Sequence, residues 1–252
     1  MRRFAWLAIV ASFACAALPF GGTTVHAASD PSAIAIANRV MAALGGADAW
    51  NSLPALEWTW QYVSNDSVKS ERRHLWDKRS GWQRVEGVGR DGRPYVFTAQ
   101  IDGPAEHAWI GGVAIQGDSL EKLGQRSRAL WRNDSYWFLM PYKLLDPGCR
   151  LANAGDTTVA KTRYHRLALS FERVGDTPGD RYWVWVNAAN ARVERWDFLL
   201  QGDTRMGSWS WEDWQLQGGL MFAGVRRSER NQIRTVEVHP VSRVSPTAFT
   251  AP

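Results

Sequence analysis

Between Leu56 and Tyr62 the chain alternates strictly, with Leu56, Trp58, Trp60 and Tyr62 apolar and Glu57, Thr59 and Gln61 polar. Successive side chains of an extended chain point to opposite faces, so a period of two predicts a strand with one buried and one wet face. The pattern returns where Leu167, Leu169 and Phe171 alternate with Ala168, Ser170 and Glu172, and where Trp209 and Trp211 stand opposite Ser208, Ser210 and Glu212. Trp196, Phe198 and Leu200 share a face, and Tyr182 to Val186 is apolar on both. Turn-forming residues punctuate these runs at Arg79-Ser80-Gly81, at Gly89-Arg90-Asp91-Gly92 and at Ala189-Asn190. They frame further predicted strands over 70–78, 82–88 and 94–101, and 220–226 and 232–238 read as the last two. The total is nine to eleven strands, joined mostly by short turns. Short turns permit only antiparallel neighbours. The expected architecture is therefore an antiparallel meander curled into a barrel or half-barrel, mainly β with α (α+β), with helices against it.

The helical signals are few. Asp30-Pro31 supplies an N-cap followed by proline in the first turn, and Ile34, Ala37, Met41 and Leu44 follow at helical spacing until Gly45-Gly46. A short second turn is expected over Ala47 to Leu53. Asp118 and Glu121 resemble a capping box, with Leu120, Leu123, Leu130 and Trp131 on one face of a central helix. Pro141 ends the run Tyr136-Trp137-Phe138-Leu139-Met140.

The first residues read as an export signal. Met1-Arg2-Arg3 is a positive start, the apolar run extends from Phe4 to Phe20, and Val25-His26-Ala27 is an A-x-A-like cleavage site. The run is interrupted by Pro19 and falls short of the roughly 20 residues that span a bilayer. Residues 1–27 are thus expected to be cleaved, with lipidation at Cys15 a lesser alternative, leaving 28–252 as one exported, periplasmic domain with no stable membrane span. Losing Arg2 and Arg3 takes the formal net charge from +5 to +3. So mild a charge, on an exported chain, argues against nucleic acid as a partner. Cys149 would then stand alone, and a buried packing role suits it.

Recognisable catalytic chemistry is scarce. Gly87-Val88-Gly89-Arg90-Asp91-Gly92 matches a dinucleotide fingerprint in letters, but Arg93-Pro94-Tyr95-Val96-Phe97 follows as a strand instead of the required helix. It reads as a glycine turn. His74, His107, His165 and His239 fall one to an element, so no metal or other cofactor is expected. Glu194 with Asp197 and Glu212 with Asp213 read most simply as solvated strand or turn residues; as distant carboxylates they leave a glycan hydrolase as the least favoured alternative.

What stands out is the 15 Trp. They either fill the core or line a concave face for an apolar ligand, since indoles offer large, stiff surface. The candidate ligand-binding residues are Trp58, Trp60, Trp137, Trp183, Trp185, Trp209 and Trp211. Lys143, or one of Arg126, Arg128 and Arg132, could meet an anionic headgroup at the rim.

The stretch Trp131-Arg132-Asn133-Asp134-Ser135-Tyr136-Trp137-Phe138-Leu139-Met140-Pro141-Tyr142-Lys143-Leu144-Leu145-Asp146-Pro147-Gly148 resembles one found in exported bacterial proteins similar to the LolA/LolB lipoprotein carriers. Gly45-Gly46 followed by Trp50 fits the same branch, as does the order of signal, helix, strands, central helices and strands. The resemblance implies an unclosed antiparallel β-barrel with a helical lid, whose hydrophobic cavity holds lipid acyl chains. It implies a non-catalytic carrier of a hydrophobic small molecule, lipid or lipoprotein acyl chain, connected with the bacterial envelope and outer-membrane biogenesis. The alternative is an envelope protein-interaction or sensor module, in which the same sheet docks a protein partner over a filled core.

Overall fold

The computed structural model describes residues 29–171 and 180–252. The expected signal at 1–27, Cys15 and Glu172 lie outside the described residues. The chain opens with α1 (Pro31–Ala43), whose Asp30 side chain accepts from the Ser32 amide as N-cap. Its buried stripe is Ala33, Ile36, Ala37 and Val40 rather than the Ile34 and Met41 expected, both of which are only half-buried. A short α2 (Ala47–Ser52) follows.

Six strands come next: β1 (Ala55–Ser64), β2 (Ser67–Asp77), β3 (Trp82–Val88), β4 (Pro94–Gln100), β5 (Glu106–Ile110) and β6 (Val113–Ala114). The long helix α3 (Asp118–Leu139) runs into a 3-10 turn, Met140–Tyr142, that accommodates Pro141. Seven more strands complete the chain: β7 (Cys149–Val159), β8 (Thr162–Phe171), β9 (Arg181–Asn187), β10 (Val193–Leu199), β11 (Gly207–Gln217), β12 (Leu220–Arg227) and β13 (Asn231–Val241). The described residues thus hold thirteen strands where nine to eleven were expected. The surplus comes from β5, the two-residue β6 and the edge strand β7. Most of β7 is small or polar and exposed, so it carries no apolar alternation to read.

All thirteen strands form one sheet in the order β6-β5-β4-β3-β2-β1-β13-β12-β11-β10-β9-β8-β7. Two antiparallel meanders, β1–β6 and β7–β13, meet at a seam where β1 pairs with β13 from Ala55↔Val241 to Ser64↔Asn231. The edges β6 and β7 do not meet, so the barrel is unclosed. This is the α+β half-barrel expected from the alternation. It also dictates the place of α3. The segment between β6 and β7 must travel from one edge of the sheet to the other, and a 22-residue helix spans about 33 Å. It packs over β3, β4 and β5 and ends against β12, covering the concave face.

The α3 start differs from the predicted capping box. Gly117, at φ +64°, occupies the N-cap position and no side chain caps the helix, so Asp118 is its first residue rather than its cap. The buried face of α3 is Gly124, Ser127, Trp131, Asp134 and Phe138, with Leu120, Leu123 and Leu130 packed at its flank. A Cβ at Gly124 would overlap the Glu106 carboxylate and so displace it from Arg128 Nη1, which holds it at 2.7 Å. Edge strand β7 is partly covered in turn, because the Asp30 amide donates to the Leu151 carbonyl at 2.9 Å. Covering an edge suppresses pairing with other chains.

Candidate functional site

The concave face is dry, aromatic and filled. Trp58, Trp60, Trp137, Trp196 and Trp211 are at most 6% exposed, and Phe138 and Phe222 are buried among them. Trp137, on the last turn of α3, sits edge-on to Trp196 at 4.8 Å and to Trp209 at 4.9 Å between ring centroids. Phe138 reaches Trp58 at 5.5 Å and Phe222 at 5.3 Å. Offset and edge-to-face contacts of this kind each contribute about 0.5–1.5 kcal/mol beyond area burial. The helix and the sheet are thus joined mainly by rings.

One polar cluster interrupts this surface. Arg72 of β2 grips Asp134 of α3 in bidentate fashion, Nε at 2.5 Å from Oδ2 and Nη2 at 2.8 Å from Oδ1. His74, two residues further along β2, lies with Nε2 at 2.9 Å from the same Oδ2. Burial opposes ionisation of Asp134, but the Arg72 charge and the His74 and Arg72 hydrogen bonds outweigh it and hold its pKa down at about 2. Burial also lowers the pKa of His74, against the pull of Asp134. The imidazole is therefore neutral, and its contact with the carboxylate is a hydrogen bond donated by Nε2 rather than an ion pair. The two residues are braced by rings: the Arg72 guanidinium lies 4.1 Å from the Trp60 centroid, and His74 stacks on Trp58 at 4.8 Å.

A second arginine enters the same face from the other side of the seam. Arg226 of β12 is fully buried and stands opposite Trp211 in the β11–β12 ladder. Its Nη1 donates to the Ala223 carbonyl at 2.6 Å and its Nη2 to Thr235 Oγ1, while Nε has no acceptor among the described residues. No carboxylate among the described residues pairs with it. Its guanidinium lies 5.4 Å from the Trp211 centroid and 5.9 Å from that of Phe138. Burial alone pulls its pKa down to about 9, so at neutral pH the cation persists.

Of the expected ligand-binding residues, the fold brings Trp58, Trp60, Trp209 and Trp211 of the sheet and Trp137 of α3 to one face. Trp183 and Trp185 point the other way, because they alternate with Tyr182, Val184 and Val186 on the buried face of β9. On the outer face Trp185 Nε1 donates to Asp197 at 2.8 Å and Arg195 lies 4.5 Å from its ring centroid. Asp197 is consequently buried, contrary to the expectation of a solvated carboxylate, and also holds Arg195 at 2.7 Å. Trp185 and Trp214 help line an outer groove of about 680 Å³ with Tyr164, Glu194, Arg195 and Glu212.

Lys143 ion-pairs with Asp146 at 2.6 Å and is not part of the aromatic surface. Its neighbour Tyr142 donates to the Met221 carbonyl at 2.8 Å and stacks on Trp50 at 4.3 Å. Arg128 is tied to the carbonyls of Gln100 and Gly103 as well as to Glu106. Cys149 is half-buried at the edge of the core rather than fully buried as expected, and burial with the nearby Asp146 charge raises its thiol pKa to about 12. His74, His107, His165 and His239 sit on β2, β5, β8 and β13, and the described residues contain no group of side chains that could hold a metal.

The sequence reading gives no role to Arg72, Asp134 or Arg226, and takes His74 only as an isolated histidine. Parity could have exposed one of them: Arg226 continues the inward series Leu220 and Phe222. Asp134 stands three residues after Trp131 and four before Phe138, on the buried helix face that also carries Gly124 and Ser127.

No protein-family model and no curated protein matches the sequence. Solved structures do match in shape. A DUF1329 family protein from Desulfovibrio piger aligns with TM-score 0.53 at 13% identity, over 88% of this chain and 98% of that one. A LolA superfamily protein from Nitrosomonas europaea aligns with TM-score 0.53 at 12% identity, over 86% and 97%. An outer membrane lipoprotein-sorting protein domain from Vibrio parahaemolyticus, described as putative, aligns with TM-score 0.51 at 10% identity, over 87% and 96%. At these identities the likeness speaks to fold alone: the chain shares with these structures a LolA-like unclosed antiparallel half-barrel, whose concave face is here covered by α3.

Proposed function

We propose that the protein is a non-catalytic carrier that takes a hydrophobic ligand, a lipid or lipoprotein acyl chain, between the concave sheet and α3. The observation that carries this reading is the construction of the cover. A single helix lies over a surface of stacked indoles and is fastened to it by a few polar contacts, chiefly Arg72 and His74 with Asp134, Gln83 with Ser127 and Arg128 with Glu106. Moving the end of α3 would open the apolar sheet face beneath it, and each methylene buried there contributes about 0.8 kcal/mol. The likeness in fold to a lipoprotein-sorting domain supports the same class of cargo. With the signal expected at 1–27, the carrier would act in the periplasm as one domain, 28–252. No helix among the described residues is long and apolar enough to cross a membrane.

The filled state of the concave face favours one rival, an envelope protein-interaction module whose core needs no ligand. Native mass spectrometry of the purified chain, with titration of a fluorescent fatty acid, separates the two. A stoichiometric lipid or saturable uptake is the expected result. An empty protein that takes up nothing overturns the carrier reading.

A further inference from the structure

The groups left unsatisfied near Arg226 are donors. Arg226 Nε and Trp211 Nε1 are both buried without an acceptor among the described residues, and so is Trp58 Nε1 on the far side of Phe138. A buried cation with no carboxylate is a costly arrangement, and a fold retains it where something else supplies the negative charge. Phe138 forms the lid over this spot. Its ring lies against Trp58, Phe222 and Arg226, and it stands one helical turn beyond Asp134 on the same face of α3. Displacing the end of α3 would therefore uncover the guanidinium and the apolar sheet face together.

We infer that Arg226 anchors the oxyanion of a single-chain amphiphile, a carboxylate or a phosphate, whose apolar chain lies along the aromatic face beneath α3. This rests on the hydrophobic-ligand reading above and adds to it the charge class of the ligand and the position of its head. Arg226 offers Nε to the anion, and the Trp211 indole, with its centroid 5.4 Å from the guanidinium, carries a second unsatisfied donor. Arg72 cannot serve in the same way, because Asp134 already fills its fork. Lys143 and Arg128 are already engaged with Asp146 and Glu106. The inferred head position is inward, beside the seam of the two meanders.

The test compares ligands that differ only at the head. Oleate, oleyl phosphate and methyl oleate are titrated into the purified protein below their aggregation limits, with intrinsic Trp fluorescence as the readout. The expected result is at least tenfold tighter binding of one or both anions than of the ester, and which anion is favoured identifies the head. R226M should bind all three with the affinity of the ester, and R226K should restore part of the preference. Equal binding of acid and ester by the natural protein overturns the anion site and leaves the carrier reading standing. Binding of none of the three overturns both. Retention of the anion preference in R226M, with its circular dichroism unchanged, assigns the charge recognition elsewhere and also overturns the inference.

Discussion

Two arginines approach the concave face from either side of the β1–β13 seam, Arg72 from β2 and Arg226 from β12, and they live in opposite electrostatic circumstances. Arg72 has a bidentate carboxylate on the covering helix, a hydroxyl from Ser70 at 2.7 Å and an indole beneath it. Arg226 has one carbonyl, one hydroxyl, two aromatic faces and no counter-charge among the described residues. A paired charge in a dry interior fixes geometry and is harmful only when broken, whereas an unpaired one is a standing cost. The first therefore reads as a fastening between sheet and lid, and the second as a place prepared for something that arrives.

Breaking the fastening should have the largest effect. D134A leaves Arg72 buried without its partner and is expected to lower stability by about 3–5 kcal/mol in urea unfolding. The double change R72M with D134L removes both charges and should recover most of that loss, a non-additivity that a double-mutant cycle reads directly. A loss no larger than about 1 kcal/mol for D134A would show that the rings alone hold α3 down.

Acid sharpens the same contrast. Asp134 titrates at about 2 in the folded chain against 3.8 ordinarily, so its contribution is full above pH 3.8 and is lost as pH falls through about 2. That window is worth about 2 kcal/mol. His74 acts earlier and by a different route. Its folded pKa lies below 6.5, so under pH 6.5 the unfolded chain takes a proton that the folded chain refuses, and stability declines. H74Q should flatten the decline just below pH 6.5 and leave the lower window in place. A single-step profile unaffected by H74Q would contradict the neutral imidazole.

R226M should move stability the other way, leaving it level or raising it by about 1 kcal/mol, because it removes an unpaired buried charge while keeping much of the volume. A loss of more than about 2 kcal/mol would make Arg226 a structural strut. The smallest effect is expected on the outer face. W185F keeps the ring, gives up one hydrogen bond to Asp197 at a partly wet site, and should cost about 1 kcal/mol or less.

The alternation around Trp58, Trp196 and Trp209 made the sheet, its antiparallel sense and its inner face legible, and Asp30-Pro31 placed the first helix. Period and turn chemistry are local, so they survive in one dimension. β7 was illegible for a related reason: an edge strand with little to bury needs no apolar pattern. Grouping Trp183 with Trp209 was a failure of another kind. Both belong to strands, but β9 carries its inward parity on Tyr182, Val184 and Val186, and which parity of an apolar strand faces inward is decided by its neighbours.

The residues alone thus specified strands with one dry face, a helix long enough to cross them, and indoles in excess of what any single element uses. They could not specify which charge meets which. Arg72 and Asp134 are 62 positions apart in the chain, and Arg226 and Thr235 lie on separate strands. Only pairing β1 with β13 sets β2 and β12 on either side of one seam and sends α3 over both. Whether a buried arginine is satisfied depends on what a distant segment places within 3 Å of it, and distance in space is not written in sequence order.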